Sequence, residues 1–333
     1  MVLAEYTASS TFEPAALERA SLADAGTEPA APADVVTTPI AEGAPAQRRW
    51  QAAGATVRGA AHVRTGLPNQ DAIGWRPAGD AALVLAVSDG HGSAKCFRSQ
   101  TGAQLAVETA LAVFGPLAER SPDGIDPAAL QDAAETALWR WRAAVDADLL
   151  ERPLSAAELE RLERKDGPGA RRLVEQRPWV AYGATLLIAL AAERCVAYFQ
   201  IGDGDVLAVS EDGEVSRPLA GDPRLFAGET TSLCSHDAVR HVRLAVHALD
   251  GEAPLAPALI VLSTDGYANS FRTDADFAQV GSDLLSLVRS EGLDAVGTCL
   301  ESWLHEASAL GSGDDVTVGI ISRVAGAERE SRG

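Results

Sequence analysis

The sequence predicts an α+β fold in which long helices lie over antiparallel sheets, and three observations carry that expectation. Apolar runs of strand length are spread along the chain, and helical periodicity is confined to a few long blocks. The runs between 184 and 210 follow one another too closely for crossover helices, so they are expected to join as antiparallel hairpins. Strands in meanders with helices in separate blocks define an α+β sandwich rather than a doubly wound parallel sheet. With 333 residues, 47% of them apolar and 5% aromatic, a sizeable core is available, built mostly from Ala, Val, Leu and Ile.

Residues 1–48 are dominated by Ala, Pro, Thr and Glu, as in "GTEPAAPADVVTTPIAEGAPA", with no period of 2 or 3.6, and read as a disordered leader. A single domain is expected over 49–324, followed by a frayed tail, 325–333. Its first strands are "ATVRGAAHV" (55–63) and "AALVLAVSD" (81–89), alternating or continuously apolar as half-buried and buried strands are. Apolar residues at three- and four-residue spacing then mark helices over 97–114 and 127–150, the second opening on Pro127 as an N1 proline should. Residues 151–178 are charged and broken by "DGPG", and read as an inserted surface helix and loop. The strands "ATLLIALAA" (184–192), "CVAYFQIGD" (195–203) and "DVLAVS" (205–210) follow, then a segment over 218–241 with the position of a mobile flap. "VRLAVHAL" (242–249), "ALIVLSTD" (258–265), a helix over 292–309 and "VTVGIISRV" (316–324) complete the domain, and no internal repeat is present.

The formal charge of −19 argues against DNA, RNA or anionic lipid as partners, since polyanions require a Lys/Arg footprint. Cys96, Cys195, Cys234 and Cys299 form no C-x-x-C pair, so no zinc knuckle or redox motif is indicated, and a reducing cytoplasm is the expected location. The opening "MVLAEYTASSTFEP" lacks the basic and apolar regions of a secretory signal. The longest greasy stretches fall short of the roughly 20 residues of a membrane span.

One design recurs: an apolar run ends abruptly in Asp plus Gly. It occurs at "LAVSDGHG" (Asp89), "YFQIGDGD" (Asp203) and "LIVLSTDG" (Asp265). "GSGDDVTVGII" sets Asp314 and Asp315 at the start of a strand, and "GLPNQDAIGW" adds Asp71. A single Asp-Gly is ordinary turn chemistry. Several at the ends of converging buried strands would repel one another and take up protons unless a cation sat among them. Carboxylates, carbonyls and water without a Cys or His cluster suit Mg²⁺ or Mn²⁺, and Gly90 would let its own carbonyl approach such an ion. A pair of these cations supplies the chemistry of phosphoester hydrolysis.

The motifs "AHVRTGLPNQDA", "VSDGHG", "GATL", "IGDGD", "STDG" and "GDDVTV", in this order from about residue 55 to 323, resemble those of the metal-dependent protein phosphatases, the phosphatase 2C family, in its bacterial form. The resemblance implies a four-layer α/β/β/α sandwich, with two central antiparallel sheets flanked by helices. It implies two Mn²⁺ or Mg²⁺ ions bridged by Asp89, with Gly90, Asp265 and Asp314 as further ligands, Asp71 in the same acidic set, and a third, weaker site at Asp203. It also implies that His91 is the general acid, a role for which an imidazole titrating near neutrality is suited.

The chain departs from the family pattern in several places. Gln70 stands where many relatives have Glu, and Gly66 where many have a phosphate-binding Arg. Arg64 lies nearby, with a guanidinium suited to phosphate. "GDGD" makes Asp205 an extra acid, and of the neighbours Asp314 and Asp315 only one should face the metals, because successive side chains of an extended chain point opposite ways. The implied activity is hydrolysis of phosphoserine and phosphothreonine in proteins, with a Ser/Thr kinase or its targets as partners. The competing readings are a catalytically silent phosphoprotein- or kinase-binding module, and a phosphohydrolase of a small metabolite.

Overall fold

The structure, a computed structural model, describes residues 50–121, 124–219, 221, 230–249 and 256–323. The expected leader, the tail and part of the expected flap (220 and 222–229) lie outside the described residues. Among the described residues ten strands form two five-stranded antiparallel sheets. The first contains β1 (Gln51–Val57), β10 (Val316–Ser322), β9 (Pro257–Ser263), β6 (Asp205–Ser210) and β7 (Val215–Ser216), in that order. The second runs β2 (Ala72–Ala78), β3 (Ala82–Ser88), β4 (Leu186–Ala191), β5 (Cys195–Ile201), β8 (Arg243–Ala248).

The helices are α1 (Ala60–Thr65), α2 (Ser99–Arg120), α3 (Pro127–Glu151), α4 (Ala156–Gln176), α5 (Asp265–Ala268), α6 (Asp274–Glu291) and α7 (Leu293–Leu310). α2 and α3 cover the second sheet, and α6 and α7 the first, which makes the four-layer α/β/β/α sandwich. The strands are apolar on both faces because both faces are covered. Along β3, Leu83, Leu85 and Val87 meet the other sheet while Val84 and Ala86 meet the helices. β4 alternates in the same way, with Leu187 and Ala189 toward the sheet and Leu186, Ile188 and Leu190 toward the helices.

The structure departs from the sequence reading in four places. The strand anticipated over 55–63 ends at Val57, and 60–65 is helical: Gly59, whose N–H donates to Asp315 Oδ1 (2.6 Å), turns the chain into α1. β2 escapes the sequence reading because Gly74 and Pro77 interrupt it, and it tolerates them as an edge strand paired to β3 alone. α6 was also not anticipated, although Thr273 caps it and Phe277, Val280, Leu284 and Val288 bury at helical spacing. The three strands between 184 and 210 do not form consecutive hairpins: β4 and β5 pair, but β6 belongs to the other sheet. The chain changes sheets through Gly202-Asp203-Gly204, where Gly202 adopts φ +110°, a conformation side chains rarely take.

The charged insert is more than a solvated connection. Ser155 and Glu158 form a capping box that starts α4, and Leu162 and Val174 are buried despite a kink at Gly167. Glu158 takes a two-pronged bond from Arg98 (2.9 and 3.0 Å), and Arg98 also donates to the Tyr182 hydroxyl (2.7 Å). Burial disfavours the Glu158 charge, but these bonds outweigh it and hold its pKa at about 2.

Gly102 on α2 is where these pieces converge: its carbonyl accepts from Trp141 Nε1 (2.9 Å), and a Cβ there would lie 1.9 Å from the Tyr182 carbonyl oxygen. Gly102→Ala is therefore expected to destabilise the domain by about 1–3 kcal/mol through overpacking, measured as a lowered midpoint in urea denaturation. An unchanged midpoint would show that the Tyr182 turn is not pinned there.

Candidate metal centre and active site

The site lies where strand ends from both sheets meet. Beyond β3 the backbone keeps pairing with the approach to β4: Thr185 N–H donates to the Asp89 carbonyl (2.8 Å), Gly90 bridges Ala184, and His91 N–H donates to the Gly183 carbonyl (3.0 Å). Asp89 N–H in turn donates to Thr185 Oγ1 (3.0 Å), so the "VSDGHG" and "GATL" segments hold one another. Gly90 has a steric reason of its own, since a Cβ there would lie 2.5 Å from the Gln70 carbonyl oxygen. Asp203 sits at the sheet crossing, and Asp265 at the start of α5, where Gly266 passes so close to Asp315 that a Cβ would lie 2.1 Å from its carbonyl oxygen.

The result is a cleft of ≈ 590 Å³ whose walls include Asp89, Asp203, Asp265, Asp314, His91 and Gln70. One carboxylate oxygen each from Asp89, Asp203 and Asp265 fall within 4.8 Å of one another, close enough to share an ion bound at the short distances of hard cations. A second group within the same distance joins His62, Asp314 and Asp315. The adjacent acids differ as alternation requires. Asp315 is buried and accepts from Gly59 N–H (2.6 Å), Gln70 N–H (2.6 Å) and the His62 ring at Nδ1 (2.8 Å), while the Asp314 carboxylate is 57% exposed.

Asp71 is buried, and the hydroxyls of Thr264 (2.8 Å) and Thr317 (2.7 Å) both donate to its Oδ2. Asp205 is engaged elsewhere, in an ion pair with Arg217 (2.9 Å). Arg64 is exposed on α1 and does not line the cleft.

The electrostatics fit a cation. Burial first, then the neighbouring charges of Asp71 and Asp265, raise the Asp89 pKa well above the carboxylate norm. Asp265 is raised by burial and then by Asp203, and Asp71 by burial and then, on the raising side, by Asp315, against the two threonine hydroxyls. Two buried polar atoms in the cleft wall have no protein partner, Gln70 Oε1 and His91 Nε2, and so can face a bound ion's water shell or a substrate. Burial also lowers the His91 pKa, the Asp203 charge opposing that shift and the Lys95 charge adding to it.

Two features were not anticipated: His62, which Asp315 reaches from 253 positions away, and Lys95 in the cleft wall. For neither of these does the local sequence carry a signal.

This architecture is shared with solved phosphatase structures. A bacterial serine phosphatase is similar at 15% identity, with 82% of this chain and 98% of that chain covered and a TM-score of 0.53. The serine/threonine phosphatase Stp1 from Staphylococcus aureus is similar at 15% identity, with 85% and 99% covered and a TM-score of 0.53. PppA from Pseudomonas aeruginosa, described as a key regulatory component of T6SS, is similar at 17% identity, with 82% and 97% covered and a TM-score of 0.50. At these identities the likeness defines the class of fold, a phosphatase-type α/β/β/α sandwich.

No curated protein matches the sequence. The sequence model of the protein phosphatase 2C family matches residues 58–306, and the chain belongs to that family. Among the described residues no helix is long and apolar enough to cross a membrane.

The raised carboxyls link stability to pH. Asp71, Asp89 and Asp265 keep protons in the folded, cation-free protein to higher pH than in the unfolded chain, where carboxyls titrate near about 3.9. Folding then takes up protons, so stability falls as pH rises from the ordinary carboxylate range toward the raised values. The melting temperature of chelator-treated protein is expected to drop as pH rises from the ordinary carboxylate range toward the raised values. Mn²⁺ is expected to raise it, more at higher pH, by about 2.7 kcal/mol of stability at a hundred times Kd. A melting temperature indifferent to Mn²⁺ across that range would count against the cluster as a cation site.

Proposed function

We propose that this protein is a Mn²⁺- or Mg²⁺-dependent phosphatase that hydrolyses phosphoserine and phosphothreonine in proteins. The observation that carries the reading is the meeting of Asp89, Asp203 and Asp265, from three separate strand ends, within 4.8 Å in the cleft of a chain of this family. Asp89, the Gly90 carbonyl, Asp265 and Asp314 would hold two cations, and Asp203 would contribute to a third, weaker site. Asp71, engaged at Oδ2 by two threonine hydroxyls, adds negative charge beside Asp89. Bound there, the cations would supply Lewis acidity toward phosphoryl oxygens and acidify water in the cleft.

The chain's own residues do the rest. Gln70 Oε1, with its amide Nε2 fixed on Ser99 Oγ (2.6 Å), offers an acceptor that orients a water. His91 Nε2 carries the proton to the departing seryl or threonyl oxygen, while its backbone N–H on Gly183 fixes the turn that presents the ring. Because burial lowers the His91 pKa, its acid form is a minority species at neutral pH and proton donation weakens as pH rises. The physiological partners are phosphoproteins, with a Ser/Thr kinase or its targets as the source of substrate.

Washing with a chelator is expected to abolish hydrolysis of p-nitrophenyl phosphate and of a phosphothreonine peptide, and Mn²⁺ to restore both. Activity that survives the wash would overturn the reading. His91→Ala is expected to lower kcat on the phosphothreonine peptide by roughly 10²–10⁴-fold. On p-nitrophenyl phosphate, whose leaving group departs without a proton, the loss should be far smaller. Equal losses on the two substrates would remove His91 from proton donation.

A further inference from the structure

A phosphate monoester brings close to two negative charges into a cleft whose walls already carry Asp89, Asp203, Asp265, Asp314 and Asp315. Cations that cancel the carboxylates would let the phosphoryl group approach, and a positive side chain in the cleft wall would add to its hold. Arg64 is exposed on α1 and is not among the described residues that line the cleft, and at position 66 Gly66 has no side chain to offer. Arg98 is committed to Glu158 and the Tyr182 hydroxyl. Arg142 donates to the Ser235 carbonyl (2.5 Å) and lies over the Trp179 ring. Lys95 differs from these: among the described residues that line the cleft it is the one lysine or arginine. It is exposed, and no described carboxylate lies within ion-pair distance of it.

The position of Lys95 is built rather than incidental. It occupies a 3₁₀ turn, Ala94–Cys96, directly after His91-Gly92-Ser93, closed by Cys96 N–H donating to the Ser93 carbonyl (2.9 Å). Cys96 is buried against Gly183, where a Cβ would lie 2.9 Å from its Sγ and 2.8 Å from the His91 ring. Two residues on, Arg98 ties the turn to α4 through Glu158. The stem of Lys95 thus starts from a braced base beside His91, and its charge acts on His91, Cys96 and Cys234, all in the cleft wall.

We propose that Lys95 is the phosphate-binding cation of this cleft, holding the substrate's phosphoryl group, and the phosphate product, against the carboxylate cluster and within reach of His91. This rests on the phosphatase reading for the nature of the substrate, while the anion site itself is a property of the cleft. A lysine suits the task because its compact ammonium on a flexible stem can follow the phosphoryl group as its oxygens move in the reaction. Ser235 lines the same cleft, as do Ser93 and Ser232, whose hydroxyls are engaged with Cys96 Sγ (3.3 Å) and with the Ala184 carbonyl (3.2 Å) respectively.

The test measures binding of inorganic phosphate to Mg²⁺-loaded wild type, Lys95→Ala, Lys95→Glu and Lys95→Arg by calorimetry, alongside steady-state kinetics on a phosphothreonine peptide. Mg²⁺ affinity and melting temperature serve as folding controls. Lys95→Ala is expected to weaken phosphate roughly tenfold or more, the loss of one charge-assisted hydrogen bond, and to raise KM for the peptide with a smaller change in kcat. Lys95→Glu should lose more, Lys95→Arg should retain most of the binding, and all three should bind Mg²⁺ at least as well as wild type. An active wild type whose phosphate affinity and KM are untouched in Lys95→Ala overturns the assignment and leaves the phosphatase reading standing. Lys95-dependent phosphate binding by an inactive wild type would do the reverse, and a wild type that neither binds phosphate nor hydrolyses the peptide would overturn both.

Discussion

Mutual repulsion among carboxylates at one end of a two-sheet sandwich is the constraint around which this molecule is arranged. Asp71, Asp89, Asp203, Asp265 and the adjacent pair Asp314 and Asp315 come from five separate segments of the chain, and the fold treats them in two ways. Asp315 and Asp71 are fed by hydrogen-bond donors, three for the first and two threonine hydroxyls for the second, and are consumed in holding segments together. Asp89, Asp203, Asp265 and Asp314 face the cleft, and burial with proximity raises the pKa of Asp89 and Asp265. A folded core that concentrates uncompensated charge stores electrostatic free energy that a divalent cation releases, and the rest of the site follows from that.

The same economy governs how the strand ends are held. The "VSDGHG" segment is pinned to "GATL" by reciprocal backbone and threonine bonds. Thr264, next to Asp265, donates its N–H to the carbonyl of Thr317 and accepts from Thr317 N–H (3.0 Å), next to the Asp314-Asp315 pair. Stretches that look like independent turns in the sequence are therefore halves of shared structures, each acid positioned by residues belonging to another. Glycine is required where these backbones pass closest, at Gly90 and Gly266, because any side chain there would meet a main-chain atom.

Positive charge is distributed with equal selectivity. Arg98, Arg142 and Arg217 are spent on carboxylates, carbonyls and aromatic faces, each joining elements that lie far apart in sequence. The charged insert gains its structural purpose from this. α4 is rich in surface charge, yet Glu158 captures Arg98 and thereby braces both the 3₁₀ turn that carries Lys95 and the Tyr182 turn that leads to Gly183. An amphipathic helix that looks like a solvated connection thus stiffens two walls of the cleft.

Much of this was legible in the amino-acid sequence. Strands covered on both faces must be continuously apolar, so β3, β4, β5 and β9 announced themselves, and Asp89, Asp203 and Asp265 marked where the apolar runs end. Strict alternation also told that Asp314 and Asp315 would diverge. β2 was hidden because an edge strand can carry Gly74 and Pro77, and the passage from β5 to β6 resembled a hairpin because a short gap has the same length whether the chain turns back or crosses to another sheet. Which acid of the pair would be buried, that His62 would meet Asp315, and that Lys95 rather than Arg64 would face the cleft were decided only by tertiary packing. Periodicity and turn chemistry act over a few residues and are written locally, whereas the meeting of side chains hundreds of positions apart depends on how two sheets and their helices settle against one another.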